Sequence, residues 1–323
     1  MKIVVLDGHT LNPGDLSWSA LEELGTLTVY DRTSEEQVVS RAKDAEALLV
    51  NKTILTEELF DKLPNVKYVG ILATGYNTVD VAAAGRRGIT VTNVPAYGTP
   101  SVAQLTFALL LELCSHVQAH SNAVHSGEWS ASADFCFWKY PLTELAKKTM
   151  GIIGFGQIGR NVAKIAYAFD LNVIGYDVNK DKSYSHPGFK WGSLDDIFKE
   201  SDIVSLHCPL FPENKEMINK SALDKMKETA FFLNTARGGL VAEQDLANAL
   251  NCGSIAGAGI DVLTKEPPSE DNPLIKAKNC IITPHIAWAS LASRSRMMDS
   301  AADNLKHFLN NSPINTVSRF LYC

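Results

Sequence analysis

The feature that most constrains this chain is a regular alternation of short, β-branched apolar runs with helix-like segments. The first four runs lie at 2–7, 47–51, 68–72 and 89–94. Near-continuous apolar runs of this kind are typical of parallel strands that are covered on both faces. The alternation therefore predicts βαβ units, and residues 1–98 are predicted to form one doubly wound α/β unit.

A second series of such runs begins at residue 149. The stretch "TMGIIGFG" predicts a strand, and a helix is predicted from about 157 to 169. Five more strands are predicted at 172–177, 202–208, 230–236, 255–261 and 280–285. Six strands with helical or loop connections are the count of a dinucleotide-binding fold. Because a domain takes roughly 150 residues, the 323 residues of this chain suggest two domains.

Two further helices are predicted outside these series. The segment 99–120 has a helical pattern that is apolar almost all round, so this helix must be buried on several sides. Such a helix suits a domain or subunit interface, and we expect a homodimer. The stretch "LASRSRMMDSAADNLKHFLNN", which follows Trp288, predicts the last helix.

Composition and charge exclude several classes of protein. The net charge is −6 and no run of Lys and Arg occurs, which argues against a nucleic-acid partner. The longest apolar stretch, 105–113, is too short to cross a bilayer, so no membrane is expected. The six cysteines show no C-x-x-C spacing, so we expect neither a metal site nor a dithiol. The opening "MKIVVLDG" is too short for a signal peptide, and a cytoplasmic location is expected.

The spacing G-x-G-x-x-G follows the strand predicted at residue 149. Gly154 would allow a tight turn, Gly156 would let the backbone approach a pyrophosphate, and Gly159 would let the helix pack closely. The N–H groups of Gln157 and Ile158 would then face the phosphates at the start of the helix. A glycine-rich turn without a ligand is the competing interpretation.

Asp177 ends the next predicted strand and supports the dinucleotide interpretation. A carboxylate in this place accepts the ribose hydroxyls of adenosine and repels a 2′-phosphate. The sequence therefore favours NAD over NADP as the cofactor. Lys180 and Lys182 follow directly and could soften that repulsion.

Three side chains near predicted strand ends could perform hydride-transfer chemistry. His285 suits reversible proton transfer near neutral pH, and it follows Pro284 at a strand end, where open α/β sheets bind ligands. Arg237, in "LNTARGG", suits a bidentate grip on a carboxylate. Glu266, in "TKEPP", could orient the imidazole and stabilise its protonated form. Each also has a plain alternative: a structural histidine, a solvated arginine and a surface glutamate.

Several motifs in order resemble the D-isomer-specific 2-hydroxyacid dehydrogenase family, over nearly the whole chain. They are "GIIGFGQIGR", "NTARGG", "GAGIDV", "KEPP" and "PHIAW", with "ILATGYNTVD" at 71–80 and an interdomain-helix signature at 92–113. The resemblance implies a Rossmann NAD domain, 99–287, inserted into a flavodoxin-like substrate domain. The substrate domain would then comprise residues 1–98 and 288–323. One departure is Ala96, which replaces a glycine found in many family members.

The resemblance also implies roles for matched residues. His285 would be the acid/base, Glu266 would pair with it, and Arg237 would bind the substrate carboxylate and polarise its carbonyl. Thr74 and Gly75 would meet the substrate and the cofactor, and Trp288 would close the site. The implied cofactor contacts, besides the glycine loop and Asp177, are Thr106, Pro209, Thr235, Ala236 and Asp261. Asn51, at a predicted strand end, offers a polar group for a small hydroxylated substrate.

"AYGTPSVAQ" and Trp138 are most similar to the glycerate dehydrogenase and hydroxypyruvate reductase branch of the family. The expected activity is therefore NAD-dependent reduction of a small 2-keto acid, hydroxypyruvate, to the D-2-hydroxy acid, and the reverse. Two alternatives stay open. One is reduction of another 2-keto acid, and the other is a non-catalytic, NAD-sensing interaction protein like the corepressors of the same family.

Overall fold

The computed structural model describes residues 1–317 and divides the chain into two compact units. Among the described residues, the first unit comprises 1–98 together with 289–317, and the second comprises Thr99–Trp288. The sequence-based boundary assigned residue 288 to the first unit, whereas Trp288 groups with the second.

The first unit contains a five-stranded parallel sheet in the order β2-β1-β3-β4-β5. This is the flavodoxin-like order, and the sheet core includes Leu48, Val69 and Val91. The strands are β1 (Lys2–Val5), β2 (Thr26–Val29), β3 (Ala47–Val50), β4 (Tyr68–Ile71) and β5 (Thr90–Thr92). The helices between them are α1 (Ser19–Glu22), α2 (Val38–Ala42), α3 (Glu57–Asp61) and α4 (Val81–Arg86).

The second unit begins with two helices, α5 (Thr99–Ser115) and α6 (Val117–His125). The remaining elements, in chain order, are β6 (Thr149–Ile153), α7 (Gln157–Ala168), β7 (Asn172–Tyr176), β8 (Phe189–Trp191), α8 (Leu194–Glu200), β9 (Ile203–Leu206), α9 (Lys220–Leu223), β10 (Phe231–Asn234), α10 (Glu243–Cys252), β11 (Gly257–Ile260) and β12 (Cys280–Ile282).

These strands form a seven-stranded parallel sheet in the order β12-β11-β10-β9-β6-β7-β8. The strand order reverses between β6 and β9, the place where doubly wound sheets bind ligands. Two apolar clusters, one containing Phe232 and the other Ile152, pack around the sheet. The predicted fold class, two doubly wound parallel sheets of which one is a Rossmann sheet, is confirmed.

The prediction of one helix over 99–120 is wrong, because the helix breaks at His116. This residue has a left-handed backbone, with φ of 48°, between α5 and α6. The apolar character of α5 comes from packing inside its own unit. A β-carbon at Gly257 or Gly259 would lie within 3.0 Å of Leu113 or Leu109, so these two glycines let α5 lie close to the sheet.

Within residues 1–317, no single helix has the length and apolar character needed to cross a membrane. The α5 and α6 pair meets that test only when joined across a bend of 57°.

The predicted last helix is confirmed as α11 (Leu291–Leu309), and it completes the first unit. The ring of Phe308 lies 5.0 Å from that of Tyr68 on β4. The guanidinium of Arg294 binds both carboxylate oxygens of Asp15 at 2.6 and 2.8 Å. Both contacts fasten α11 to the sheet and loops of residues 1–98.

Candidate active site

The glycine loop after β6 leaves open space at one of its three glycines. Gly154 has φ of 93°, and a β-carbon there would come within 2.5 Å of the backbone nitrogen of Cys208. A β-carbon at Gly159 would lie 2.2 Å from the carbonyl oxygen of Gly154. In contrast, a β-carbon at Gly156 would meet no atom within 4 Å. The protein's own packing thus requires two of the glycines, while the third borders room for a ligand.

Helix α7 begins at Gln157, so its first backbone N–H groups lie directly after this open space. Unpaired N–H groups at a helix start attract phosphate groups. The loop therefore fits the pyrophosphate of a dinucleotide, as the sequence predicts for Gly154, Gly156, Gln157, Ile158 and Gly159.

Asp177 lies at the end of β7 and is bonded to the glycine loop. Its Oδ2 accepts the N–H of Phe155 at 2.8 Å, and its Oδ1 accepts the N–H of Asn179 at 2.9 Å. Each carboxylate oxygen can accept more than one hydrogen bond, so both keep capacity for ribose hydroxyls. The nearby guanidinium of Arg160 is paired with Asp181 at 2.9 Å.

The turn that carries Arg237 is shaped by Asn234, a buried residue that the sequence analysis missed. Its Nδ2 donates to the carbonyl of Arg237 at 2.9 Å, and its Oδ1 accepts the N–H of Ala236 at 3.0 Å. The signal available in the sequence was an amide residue at the very end of a strand. Arg237 itself is exposed, and Nη1 donates to the carbonyl of Ala236 at 2.7 Å.

Gly238 brings this turn against the loop that carries Glu266. A β-carbon at Gly238 would lie 1.9 Å from the carbonyl carbon of Leu263, so only glycine fits. The N–H of Leu263 in turn donates to Oε1 of Glu266 at 3.0 Å. The loops after β10 and β11 are therefore in backbone contact beside two of the predicted catalytic residues.

His285 and Glu266 form a hydrogen-bonded pair, as the sequence predicts. Nδ1 of His285 lies 2.6 Å from Oε2 of Glu266. A carboxylate can only accept, so Nδ1 carries the proton, and Nε2 is the nitrogen available for exchange with a substrate. The two side chains are 30% and 34% exposed, which leaves them accessible.

Asp261 holds the loop on which His285 lies. Its Oδ1 accepts from Oγ1 of Thr283 at 2.5 Å and from the N–H of Ile286 at 2.9 Å, and its Oδ2 accepts the N–H of Ala287 at 2.9 Å. Its carbonyl accepts the N–H of His285 at 2.8 Å, where the backbone has φ of 54°. Burial raises the pKa of Asp261. A positioning task for this carboxylate was not predicted, and its cofactor contact stays a prediction.

The other predicted cofactor residues of the second unit lie after strands or on α5. The hydroxyls of Thr106 and Thr235 are 3.0 Å apart, and that of Thr106 also donates to the carbonyl of Val102. Thr106 is fully buried and Ala236 is buried, whereas Pro209 is exposed after β9. Their contacts with a cofactor stay predictions, as does the closing role of the half-buried Trp288.

The predicted substrate residues of the first unit follow β3 and β4. Asn51 is buried, and its Nδ2 donates to the carbonyl of Leu72 at 3.1 Å. Thr74 is exposed and donates through Oγ1 to the carbonyl of Val94 at 2.9 Å. Gly75 follows directly and is half-buried. Their substrate contacts stay predictions.

Within residues 1–317, no group of three or more His, Cys, Asp or Glu side chains could hold a metal ion.

Comparison with known proteins identifies the family. The model of the "D-isomer specific 2-hydroxyacid dehydrogenase, NAD binding domain" matches residues 107–287. A hydroxypyruvate reductase from Blautia hydrogenotrophica is 52% identical over 322 residues, 99% of this chain and 100% of that protein. A glycerate dehydrogenase from Methylorubrum extorquens is 37% identical over 319 residues, 98% of each chain.

Comparison with solved structures supports the same family. A D-lactate dehydrogenase from Aquifex aeolicus, complexed with NAD and lactic acid, has a TM-score of 0.83 and 31% identity, covering 99% of each chain. The predicted family and the predicted cofactor, NAD, are confirmed. The chain belongs to the D-isomer-specific 2-hydroxyacid dehydrogenase family and is an NAD-dependent dehydrogenase.

Proposed function

We propose that this enzyme reduces hydroxypyruvate to D-glycerate with NADH and catalyses the reverse reaction. The observation that carries the proposal is the 2.6 Å bond between His285 and Glu266, on a chain that is 52% identical to a hydroxypyruvate reductase. The glycine loop and Asp177 would hold NAD. Asn51, Thr74, Gly75 and Trp288 would contact the substrate.

The chain's own residues explain the proton and charge movements of the reduction. NADH supplies the hydride to the carbonyl carbon of the keto acid. Protonated His285 gives its Nε2 proton to the carbonyl oxygen, while Glu266 keeps the ring oriented through Nδ1. Arg237 holds the substrate carboxylate and stabilises the charge that develops on oxygen. In oxidation, neutral His285 takes the hydroxyl proton back.

The activity is tested by following NADH absorbance with hydroxypyruvate, glyoxylate and pyruvate, with NADPH in parallel. We expect kcat/KM for hydroxypyruvate with NADH to exceed every other combination by at least about tenfold, the discrimination that one well-placed polar contact provides. A higher kcat/KM for another keto acid would overturn the assignment of hydroxypyruvate as the substrate. NADH binding without turnover on any of them would favour the non-catalytic, NAD-sensing alternative.

The role of His285 is tested separately. His285→Ala should lower turnover about 10²- to 10⁴-fold, the range of general acid–base catalysis, with the dissociation constant of NADH within twofold. His186→Ala, which changes an exposed histidine of the same unit outside residues 117–142, is the control. An equal loss of turnover and NADH binding in His285→Ala would contradict the assignment.

We propose that the enzyme is a homodimer and that a second copy covers the residues 117–142. This segment exposes seven large apolar side chains, each by 42% or more of its surface: Val117, Val124, Trp129, Phe135, Trp138, Tyr140 and Leu142. Phe135 is 89% exposed and Trp138 is 68% exposed. Exposed apolar surface of this extent is characteristic of protein interfaces. Helix α5, on which the dimer prediction rested, is explained by packing within its own unit.

Sedimentation of the full chain tests this assembly. We expect twice the mass of the 35.2 kDa chain, and dissociation when Phe135→Ser and Trp138→Ser are combined. Phe211→Ser, at an exposed phenylalanine outside the segment, is the control. A monomeric wild-type enzyme would overturn the proposal.

We also propose a cytoplasmic location. The five cysteines within residues 1–317 are free thiols, as expected in a reducing compartment. Cell fractionation with antibody detection tests this, and recovery outside the cytoplasm would contradict it.

A further inference from the structure

The loop after β3 is held by one carboxylate from the end of β1. Oδ1 of Asp7 accepts the N–H of Asn51 at 2.8 Å, and Oδ2 accepts those of Lys52 and Thr53 at 2.5 and 2.7 Å. Three consecutive backbone donors therefore converge on Asp7. The neighbouring strands are in register, with Val5 opposite Leu49, which places Asp7 beside this loop.

These bonds determine which side chains of the loop are exposed. Asn51 and Thr53 are buried, while Lys52 between them is exposed. Hydrogen bonds to a carboxylate are shorter and stronger than those between neutral groups, so Asp7 defines the backbone path of the loop. The amide of Asn51 then donates to the carbonyl of Leu72, the residue directly after β4, at 3.1 Å.

A carboxylate at this edge has an electrostatic disadvantage for an enzyme with an anionic substrate, because like charges repel. Three N–H donors neutralise part of that charge, and Lys52 supplies a cation on the same loop. A residue used only to end β1 would not need to be charged. The charged residue is accounted for if the position of the 51–53 loop contributes more to substrate binding than the repulsion between Asp7 and the anionic substrate costs.

We propose that Asp7 is a positioning residue for substrate binding. It holds the 51–53 loop so that Asn51 and Lys52 face the small, anionic 2-keto acid, and it does not contact the substrate itself. This inference rests on the proposed function, because it takes the 51–53 loop as part of the substrate site.

The chain offers a matched control at the opposite end of the same two strands. Oε2 of Glu46, directly before β3, accepts the N–H of Lys2, the first residue of β1, at 2.9 Å. Glu46→Gln and Asp7→Asn therefore each neutralise a carboxylate that links β1 to β3. They differ in that only Asp7 contacts the 51–53 loop.

The experiment measures KM for the keto acid, kcat and the dissociation constant of NADH in both variants. We expect Asp7→Asn to raise KM at least about tenfold, with kcat and NADH binding within twofold of wild type. Glu46→Gln should leave all three within twofold. A KM change below twofold in Asp7→Asn, or equal KM changes in both variants, would overturn the proposal.

Two further variants keep the test decisive. If Asp7 acts through Asn51 and Lys52, adding Asp7→Asn to the double variant Asn51→Ala/Lys52→Ala should raise KM little further, and independent, multiplying effects would overturn the proposal. If Asp7→Asn does not fold, Asp7→Glu is tested with the same expectation, since it moves both acceptors by one methylene. All comparisons use the keto acid that wild type reduces best, so a wrong substrate assignment is detected first and separately.

Discussion

Glu266 links the ring of His285 to the backbone of the loop after β11, on which Glu266 itself lies. Its Oε2 lies 2.6 Å from Nδ1 of His285, and its Oε1 accepts the N–H of Leu263 at 3.0 Å. Glu266→Gln keeps the shape of the side chain but removes the carboxylate charge beside Nδ1 of His285. We expect kcat for reduction to fall about 10- to 100-fold, part of the general acid–base contribution, with NADH binding unchanged. Glu270→Gln, at an exposed acid nearby, is the control, and equal effects would contradict this role.

Two glycines of the cofactor loop, Gly156 and Gly159, should respond differently to alanine. At Gly156 a methyl group meets no protein atom within 4 Å but occupies the space assigned to pyrophosphate, so we expect unchanged urea unfolding and NADH affinity reduced at least about tenfold. At Gly159 the methyl group would meet the carbonyl of Gly154, so stability should fall by about 1–3 kcal/mol. A stability loss at Gly156 equal to that at Gly159 would contradict this interpretation.

Ala96 has a left-handed backbone with φ of 60°, a region that favours glycine. Ala96→Gly relieves this strain but increases the freedom of the unfolded chain, and the balance should stabilise the protein by about 0.5 kcal/mol. The control is Ala82→Gly in α4, which should destabilise by about 0.5–1 kcal/mol. Urea unfolding of both variants measures whether the free energy of unfolding rises or falls. A lower free energy of unfolding in Ala96→Gly would contradict the interpretation that the backbone of Ala96 is strained.

His207 should make the protein sensitive to acid. Its Nε2 is 2.8 Å from Oγ of Ser205, its Nδ1 is buried without a partner among residues 1–317, and burial lowers its pKa to about 3. An unfolded histidine titrates near pH 6.5. Between these values the unfolded chain binds a proton that the folded one does not, so stability falls as pH falls below about 6.5.

We therefore expect His207→Gln to flatten the decline in unfolding free energy between about pH 6.5 and pH 4, whatever its effect at pH 8. His186→Gln, at an exposed histidine outside residues 117–142, should leave the slope unchanged. Identical slopes for wild type and His207→Gln would show that the buried ring is not responsible.

The elements that the sequence predicted well are those with a strong local signal. The buried parallel strands are continuous apolar runs, and Gly159 is required by its contact with Gly154 within one strand–turn–helix unit. Strands β2 and β8 were missed. Both lie at sheet edges, β2 alternates in exposure and β8 has only three residues, so neither leaves a continuous apolar run.

What could not be predicted depends on contacts between distant parts of the chain. The break at His116 interrupts an apolar pattern, and residues 101–126 contain neither glycine nor proline, so no local signal marks the break. Asp7 and Asn51 are 44 residues apart, and their bond follows from strand pairing. The positioning tasks of Asn234 and Asp261 likewise depend on where loops meet. The His285–Glu266 pair was predicted because its motifs are specific.

The placement of α11 has a consequence for synthesis of the chain. Residues 1–98 leave the ribosome first, yet Asn304 of α11 donates to the carbonyl of Asn93 and Phe308 packs on Tyr68. The second unit is continuous in sequence, and domains fold as units during translation. We therefore expect the cofactor-binding unit to fold on the ribosome before the unit that began to emerge earlier. During that interval the sheet of residues 1–98 lacks its covering helix and is the segment most available to chaperones.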